Sequence, residues 1–127
     1  MPRQAIQFKG VPPAAGPYSS AVIHNGIAYL SGQGPHTAEG VLAGNDIESQ
    51  TRQTLQNLSS VAEAAGTNLR QAIQIRVFLA TMDDFSAMNS VYAEFFEEPY
   101  PARTTVQTGL PMPGMLVEID ATIALDG

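Results

Sequence analysis

Pro101-Ala102-Arg103-Thr104-Thr105-Val106, followed through Leu110-Pro111 by Val117-Glu118-Ile119-Asp120-Ala121, is the stretch on which the fold reading turns. Around Glu118 the apolar residues alternate. Met115, Val117, Ile119, Ala121 and Ile123 fall on one side, and Leu116, Glu118, Asp120 and Thr122 on the other. Such period-two alternation marks a strand with one buried face, because successive side chains leave a pleated backbone on opposite sides. The first set reads as core, so Glu118 leaves the sheet on the far side. Arg103 stands at the mouth of the strand before it, and this reading expects the Glu118 face to receive it. A face that mixes a carboxylate, a guanidinium and apolar residues suits a cleft or a subunit contact.

Upstream, residues 1–18 are rich in Pro and Gly and read as an irregular surface segment, with a short edge strand near Ala5–Phe8. Ala21–His24 and Ile27–Leu30 flank Asn25-Gly26, the dipeptide preferred in type I′ hairpins. Ser31-Gly32-Gln33-Gly34-Pro35 closes the second strand, and its glycines allow backbone close to a ligand or partner. A polar loop over 36–46 follows, with a short strand expected at Val41-Leu42. Asp46 is placed to cap a helix running to about Ala65 and ended by Gly66. Its inward stripe is Ile47, Thr51, Leu55, Leu58, Ala62 and Ala65. Ile73, Ile75, Val77 and Leu79 then alternate as a strand, and Asp83 or Asp84 caps a second helix with Phe85, Met88, Val91, Tyr92 and Phe95 inward. Pro99 and Pro101 stop it. The order is hairpin, helix, strand, helix, two strands. It predicts an α+β two-layer sandwich, a mixed β-sheet with two helices packed on one face and the other face open. The crossover through the first helix is expected to bring a parallel pairing into an otherwise antiparallel sheet.

A chain of 127 residues reads as one domain, 1–127, long enough to bury a core without metal or disulfide staples. Charged residues are 14% of the chain, below the usual quarter, which leaves surface for an oligomer contact. There is no cysteine, so disulfides, thiolate chemistry and cysteine-held metals are excluded. No apolar run is long enough for a membrane helix or a signal peptide, and the cytoplasm is the expected compartment. The Asn57-Leu58-Ser59 sequon falls inside the first helix and is expected to be idle. Net charge is −6, and the bases Arg3, Lys9, Arg52, Arg70, Arg76 and Arg103 stand singly. No basic stripe exists to gather phosphates, which disfavours nucleic-acid binding. One arginine in a pocket can still hold one small carboxylate.

Arg103 could equally be a surface ion pair, but two prolines before it and a strand after it point to a fixed placement. Glu118 is harder to set aside, since a charge in a strand interior usually has a partner or a task. Asp120, on the same side of the strand, either couples to it or is solvated. Helix capping accounts for Asp83-Asp84. His24 and His36 lack metal-ligand spacing, and no metal site is expected. Gly32-Gln33-Gly34 has no third glycine and is no dinucleotide fingerprint. Met82, Met88, Met112 and Met115 read as core or rim filler.

Gly16-Pro17-Tyr18-Ser19, Ser31-Gly32-Gln33, Gln50-Thr51 through Asn57-Leu58, Ala64-Ala65-Gly66, Asp84-Phe85 with Met88-Asn89 and Tyr92, Pro101-Ala102-Arg103 and Val117-Glu118-Ile119 occur in this order over nearly the whole chain. Together they resemble the reactive intermediate deaminase family (RidA, also called YjgF/YER057c/UK114). The resemblance implies a chorismate-mutase-like protomer, assembled as a homotrimer with sites between subunits. It implies hydrolysis of enamine and imine carboxylates, such as 2-aminoacrylate and 2-iminopropionate, to 2-keto acids and ammonia, with no cofactor. Arg103 would be the carboxylate clamp, a task its planar fork suits. Glu118 would hold or activate the attacking water. Tyr18 would wall the pocket, Ser31 and Gly32 would offer polar and backbone contacts across the subunit boundary, and Asn89 would line or brace the site. Many members carry cysteine where this chain has Thr105, so no thiol is available there, although the Thr105 carbonyl can still face substrate.

The resemblance implies three candidate functions: an imine/enamine deaminase, a non-catalytic trimer that binds a small carboxylate metabolite, and an endoribonuclease or translation inhibitor, as members of the family have been labelled. The acidic balance counts against the last. Glu118 separates the first two, because hydrolysis needs it and carboxylate binding does not.

Overall fold

The computed structural model describes residues 2–125. Six strands, β1 (Gln4–Ile6), β2 (Ala21–His24), β3 (Ile27–Gln33), β4 (Ala72–Leu79), β5 (Ala102–Gln107) and β6 (Val117–Ala124), form one sheet in the order β1-β2-β3-β6-β4-β5. The helices α1 (Ile47–Ala64) and α2 (Phe85–Tyr92) cover one face. This is the two-layer α+β architecture expected.

The hairpin forms at Asn25-Gly26, both residues at positive φ (52° and 77°), the conformation a type I′ turn demands. It sets Ala21 opposite Leu30 and His24 opposite Ile27. Asp46 accepts a hydrogen bond from the Ser49 amide at 2.8 Å and starts α1, which Gly66 closes at φ 91°. Ile47, Thr51, Leu55, Leu58, Ala62 and Ala65 are all buried, as their spacing predicts. They meet Ile75, Val77 and Leu79 of β4 and Val117, Ile119 and Ile123 of β6. Burying each such aliphatic side chain contributes about 1.5–3 kcal/mol, and this shared face holds the two layers together.

Three expectations are corrected. The parallel pair is β4 with β5, joined by the α2 crossover. The strand after α1 never touches the hairpin, because β6 inserts antiparallel between β3 and β4. Inserting there gives β6 two partners and puts its alternating apolar set in the middle of the core. Ile73 does not join the β4 core face, since the register slips between Ala72 and Gln74 and turns Ile73 outward. Asp83 and Asp84 do not supply the α2 cap. The Thr81 hydroxyl accepts from the Asp83 amide to start a short 3₁₀ turn over Met82–Asp84, and Asp84 precedes α2 without a side-chain capping bond. A hydroxyl one turn earlier already starts the 3₁₀ turn that leads into α2.

Candidate functional site

In the register of the sheet, Ile75 stands beside Arg103 and Val77 beside Thr105. Across the other edge of β4, Val77 stands beside Ile119 and Phe78 beside Glu118. Residues side by side on neighbouring strands share a face. Arg103 and Thr105 therefore lie on the helix-covered face, and Glu118 lies on the open one. β4 also separates their strands. The expectation that one face receives both is overturned: within one protomer, the arginine and the glutamate are on opposite sides of the sheet.

Each belongs to its own pocket. On the open side a cleft of about 400 Å³ is walled by Pro12, Tyr18, Gly32, His36, Met112 and Glu118. A Cβ at Gly32 would lie 2.9 Å from the Glu118 Cδ, so the glycine leaves room for the carboxyl group and a side chain there would have to push it aside. Burial, and after it the charge of Asp120, pushes the Glu118 carboxyl above its ordinary value. Asp120 itself is held by Arg76, whose guanidinium donates to both carboxylate oxygens at 3.0 and 2.7 Å. Among the described residues, Glu118 has no cation of its own. The Tyr18 side chain is exposed, and its hydroxyl accepts from the Ala15 amide at 3.2 Å. Ser31 donates to the Ser19 carbonyl at 2.6 Å, tying the Pro-rich segment to the hairpin beside the cleft.

On the helix side a cavity of about 350 Å³ is lined by Asn89, Tyr92, Ala93, Tyr100, Pro101 and Arg103. Arg103 forms no ion pair among the described residues. Its guanidinium carbon lies 4.7 Å from the centre of the Tyr92 ring and 5.6 Å from that of Phe85. On this side of the sheet three buried polar atoms have no hydrogen-bond partner among the described residues: Asn89 Oδ1, Tyr92 Oη and Thr105 Oγ1. Burial raises the Tyr92 phenol above its ordinary value, opposed by the nearby Arg103 charge. A cation without an ion pair beside the unpartnered Asn89 and Thr105 oxygens is chemically ready for an anionic, polar ligand.

The structure thus sets Tyr18, Gly32 and Glu118 in one cleft with Ser31 beside it, and Asn89 and Arg103 in the other cavity with Thr105 two residues further along the same face of β5. Two further residues escaped sequence reasoning. Gln50, fully buried, donates to the carbonyls of Gly44 and Gly114 at 2.8 and 2.9 Å and accepts from the Leu116 amide at 2.7 Å. Asn57 donates to the carbonyls of Gly34 and His36 at 3.0 and 2.8 Å. Both hold loops that wall the Glu118 cleft. The signal was available: each is an amide on the inward side of α1, where an unpaired amide would be costly. No group of metal-binding side chains occurs among the described residues.

The sequence description of the family called Endoribonuclease L-PSP matches residues 9–125. The chain belongs to that family, also known as the Rid family. A RutC family protein of Pyrococcus horikoshii is 38% identical over 94% of this chain and 95% of its own length. A protein named 2-iminobutanoate/2-iminopropanoate deaminase, from Capra hircus, is 37% identical over 98% of this chain and 91% of its own. Among solved structures, the Rid protein YyfA of Yersinia pestis superposes with a TM-score of 0.92 at 39% identity, covering 98% of this chain and 100% of that one. TdcF of E. coli, solved with bound serine, gives a TM-score of 0.89 at 31% identity over 97% of this chain and 99% of its own. The Rid fold and the expected family are thereby shown, and some Rid relatives are named imine deaminases. Among the described residues no helix is long and apolar enough to cross a membrane.

Proposed function

We propose that this Rid protein is a cytoplasmic enzyme that hydrolyses reactive enamine and imine carboxylates, of the 2-aminoacrylate/2-iminopropionate type, to 2-keto acids and ammonia. Arg103 binds the substrate carboxylate through its bidentate fork, and Glu118 takes a proton from the water that attacks the C=N carbon. Attack on the protonated imine gives a neutral carbinolamine, which receives that proton on nitrogen, and the C–N bond breaks. Ammonia leaves with the bonding pair, and loss of the hydroxyl proton gives the keto acid. An enamine first gains a proton at its β-carbon to become the imine. Asn89 and Thr105 offer their orphaned polar atoms beside the clamp, Ser31 and Gly32 border the water, and Tyr18 walls the cleft.

The observation that carries this reading is the split chemistry of the two pockets. An arginine without an ion pair among the described residues and a carboxyl with a raised pKa stand on opposite faces of one sheet. A second copy of the chain can bring its Arg103 pocket to this chain's Glu118 cleft. A closed ring of copies would make one such site per copy, and we propose a ring of three. The deaminase name of relatives at 36–37% identity supports the reaction class. An endoribonuclease reading shares the family description, but six scattered bases offer no track for a phosphate backbone.

The test is a coupled assay in which a PLP-dependent dehydratase generates the imine and keto-acid release is followed. Wild type should accelerate release; Arg103→Ala should lose that acceleration; Glu118→Ala should lose it while still binding a 2-keto acid. No acceleration by wild type with small or large imines would leave a carboxylate-binding trimer as the better account.

A further inference from the structure

An arginine meant to grip a substrate carboxylate must be held still without being neutralised. A neighbouring Asp or Glu would fix it, but would also occupy the N–H groups the substrate needs. Arg103 is positioned differently. Its guanidinium carbon lies within cation–π range of two rings of α2, Tyr92 at 4.7 Å and Phe85 at 5.6 Å. These residues are seven apart, so they share one side of the helix, two turns from each other. Ring faces attract a cation through their quadrupole and accept no N–H bond in the plane of the guanidinium. Tyr92 is in turn held by Phe96, the two rings stacked at 4.3 Å and 23°. Tyr92 and Phe96 are both buried, which leaves the Tyr92 ring little room to turn. The Tyr92 hydroxyl has no hydrogen-bond partner of normal geometry among the described residues, and the contact this side chain makes with the guanidinium is through its ring.

We infer that Tyr92, locked by Phe96 and seconded by Phe85, is a positioning residue that fixes the plane of the Arg103 guanidinium while leaving its donors free for a carboxylate. The inference rests on the reading of Arg103 as the substrate clamp. It assigns α2 a part in binding that the reaction chemistry alone does not require. It also separates two kinds of loss. Removing the ring should let the guanidinium rotate, which weakens carboxylate binding but leaves the water chemistry at Glu118 intact.

Two measurements on the full chain test this. First, NMR of the ligand-free protein reads rotation of the Arg103 guanidinium about its Nε–Cζ bond. It should be slow in wild type, slow in Tyr92→Phe, and faster by about tenfold in Tyr92→Leu. Equal rotation in wild type and Tyr92→Leu overturns the inference whatever the protein's activity. Second, steady-state kinetics with an imine from the coupled assay should show KM raised about tenfold in Tyr92→Leu, with kcat within about twofold of wild type. Tyr92→Phe should stay near wild type in both. A Tyr92→Phe loss as large as that of Tyr92→Leu would show that the hydroxyl matters and not the face, and would overturn the inference. If Tyr92→Leu does not fold, Phe85→Leu, which is only half-buried, takes its place with smaller shifts in the same directions. Its rotation rate then decides in the same way. Failure of wild type to hydrolyse any imine would strike the deaminase reading alone, because the rotation measurement does not depend on turnover.

Discussion

Glu118 shows how burial can hold a carboxyl group away from its ordinary charge state at a cost to the fold. Burial and the Asp120 charge raise its pKa, so the ionised form is less stable in the folded chain than in the unfolded one. The sign follows: a raised pKa favours the folded state below the unfolded value, and that advantage is lost as pH rises through the folded one. Glu118→Gln, which keeps the shape and removes the charge, is therefore expected to raise Tm at pH 7 and to abolish imine hydrolysis. Calorimetry with the coupled assay checks both, and a lower Tm would mean the charge is compensated in the fold. As a base, Glu118 should set the acid limb of the kcat/KM profile above the ordinary carboxylate range. Asp120→Asn removes the second cause of the shift and should move that limb to lower pH, read from a pH–rate series. At Gly32 the constraint is steric: Gly32→Ala sets a methyl group against the carboxyl and must push it aside. A displacement near 1 Å is worth roughly a hundredfold in rate, so kcat should fall about that far while the fold survives.

Among the elements, α1 does more than cover the sheet. Its inward amides reach out of the core and tie down the loops that wall the cleft, Gln50 at Gly44, Gly114 and Leu116, and Asn57 at Gly34 and His36. Gln50→Ala would leave two carbonyls and one amide without partners, at a cost of about 1–3 kcal/mol. Chemical denaturation should record that loss, and hydrogen exchange at the Leu116 amide should speed up. The helices themselves were legible from sequence because their signals are local: a cap at Asp46, an apolar period of 3.6, a glycine at position 66. The α2 start was misread for a related reason. Thr81, Asp83 and Asp84 are all good capping residues within four positions, and only the backbone path decides which one is used.

At the scale of the whole molecule, the Arg103 and Glu118 pockets lie on opposite faces of the sheet, and the proposed reaction needs more than one copy. This has a direct consequence. Arg103→Ala and Glu118→Ala proteins, each inactive, should regain activity when unfolded, mixed and refolded together. In a trimer whose sites each combine one copy's Arg103 with the next copy's Glu118, random assortment of an equal mixture leaves roughly a quarter of sites intact. Recovery near that level would support shared sites. No recovery in verified mixed oligomers would confine the site to one copy and remove the shared-pocket mechanism.

The sequence by itself determined the six strands and two helices to within a few residues and the core face of β6, whereas the short strand it offered at Val41-Leu42 is only an isolated bridge from Leu42 to His36. These rest on local periodicity and local caps, which need no knowledge of neighbours. Only the tertiary structure decided where Arg103 points. Along β5 neither alternating set is strongly apolar, Arg103 and Thr105 against Thr104 and Val106, so hydrophobic contrast cannot assign a face. The face comes instead from the parallel register with β4, which sets Arg103 beside the buried Ile75. The place of β6 between β3 and β4 was likewise decided by long-range pairing, because β6 has two apolar neighbours to choose from and no local signal names them.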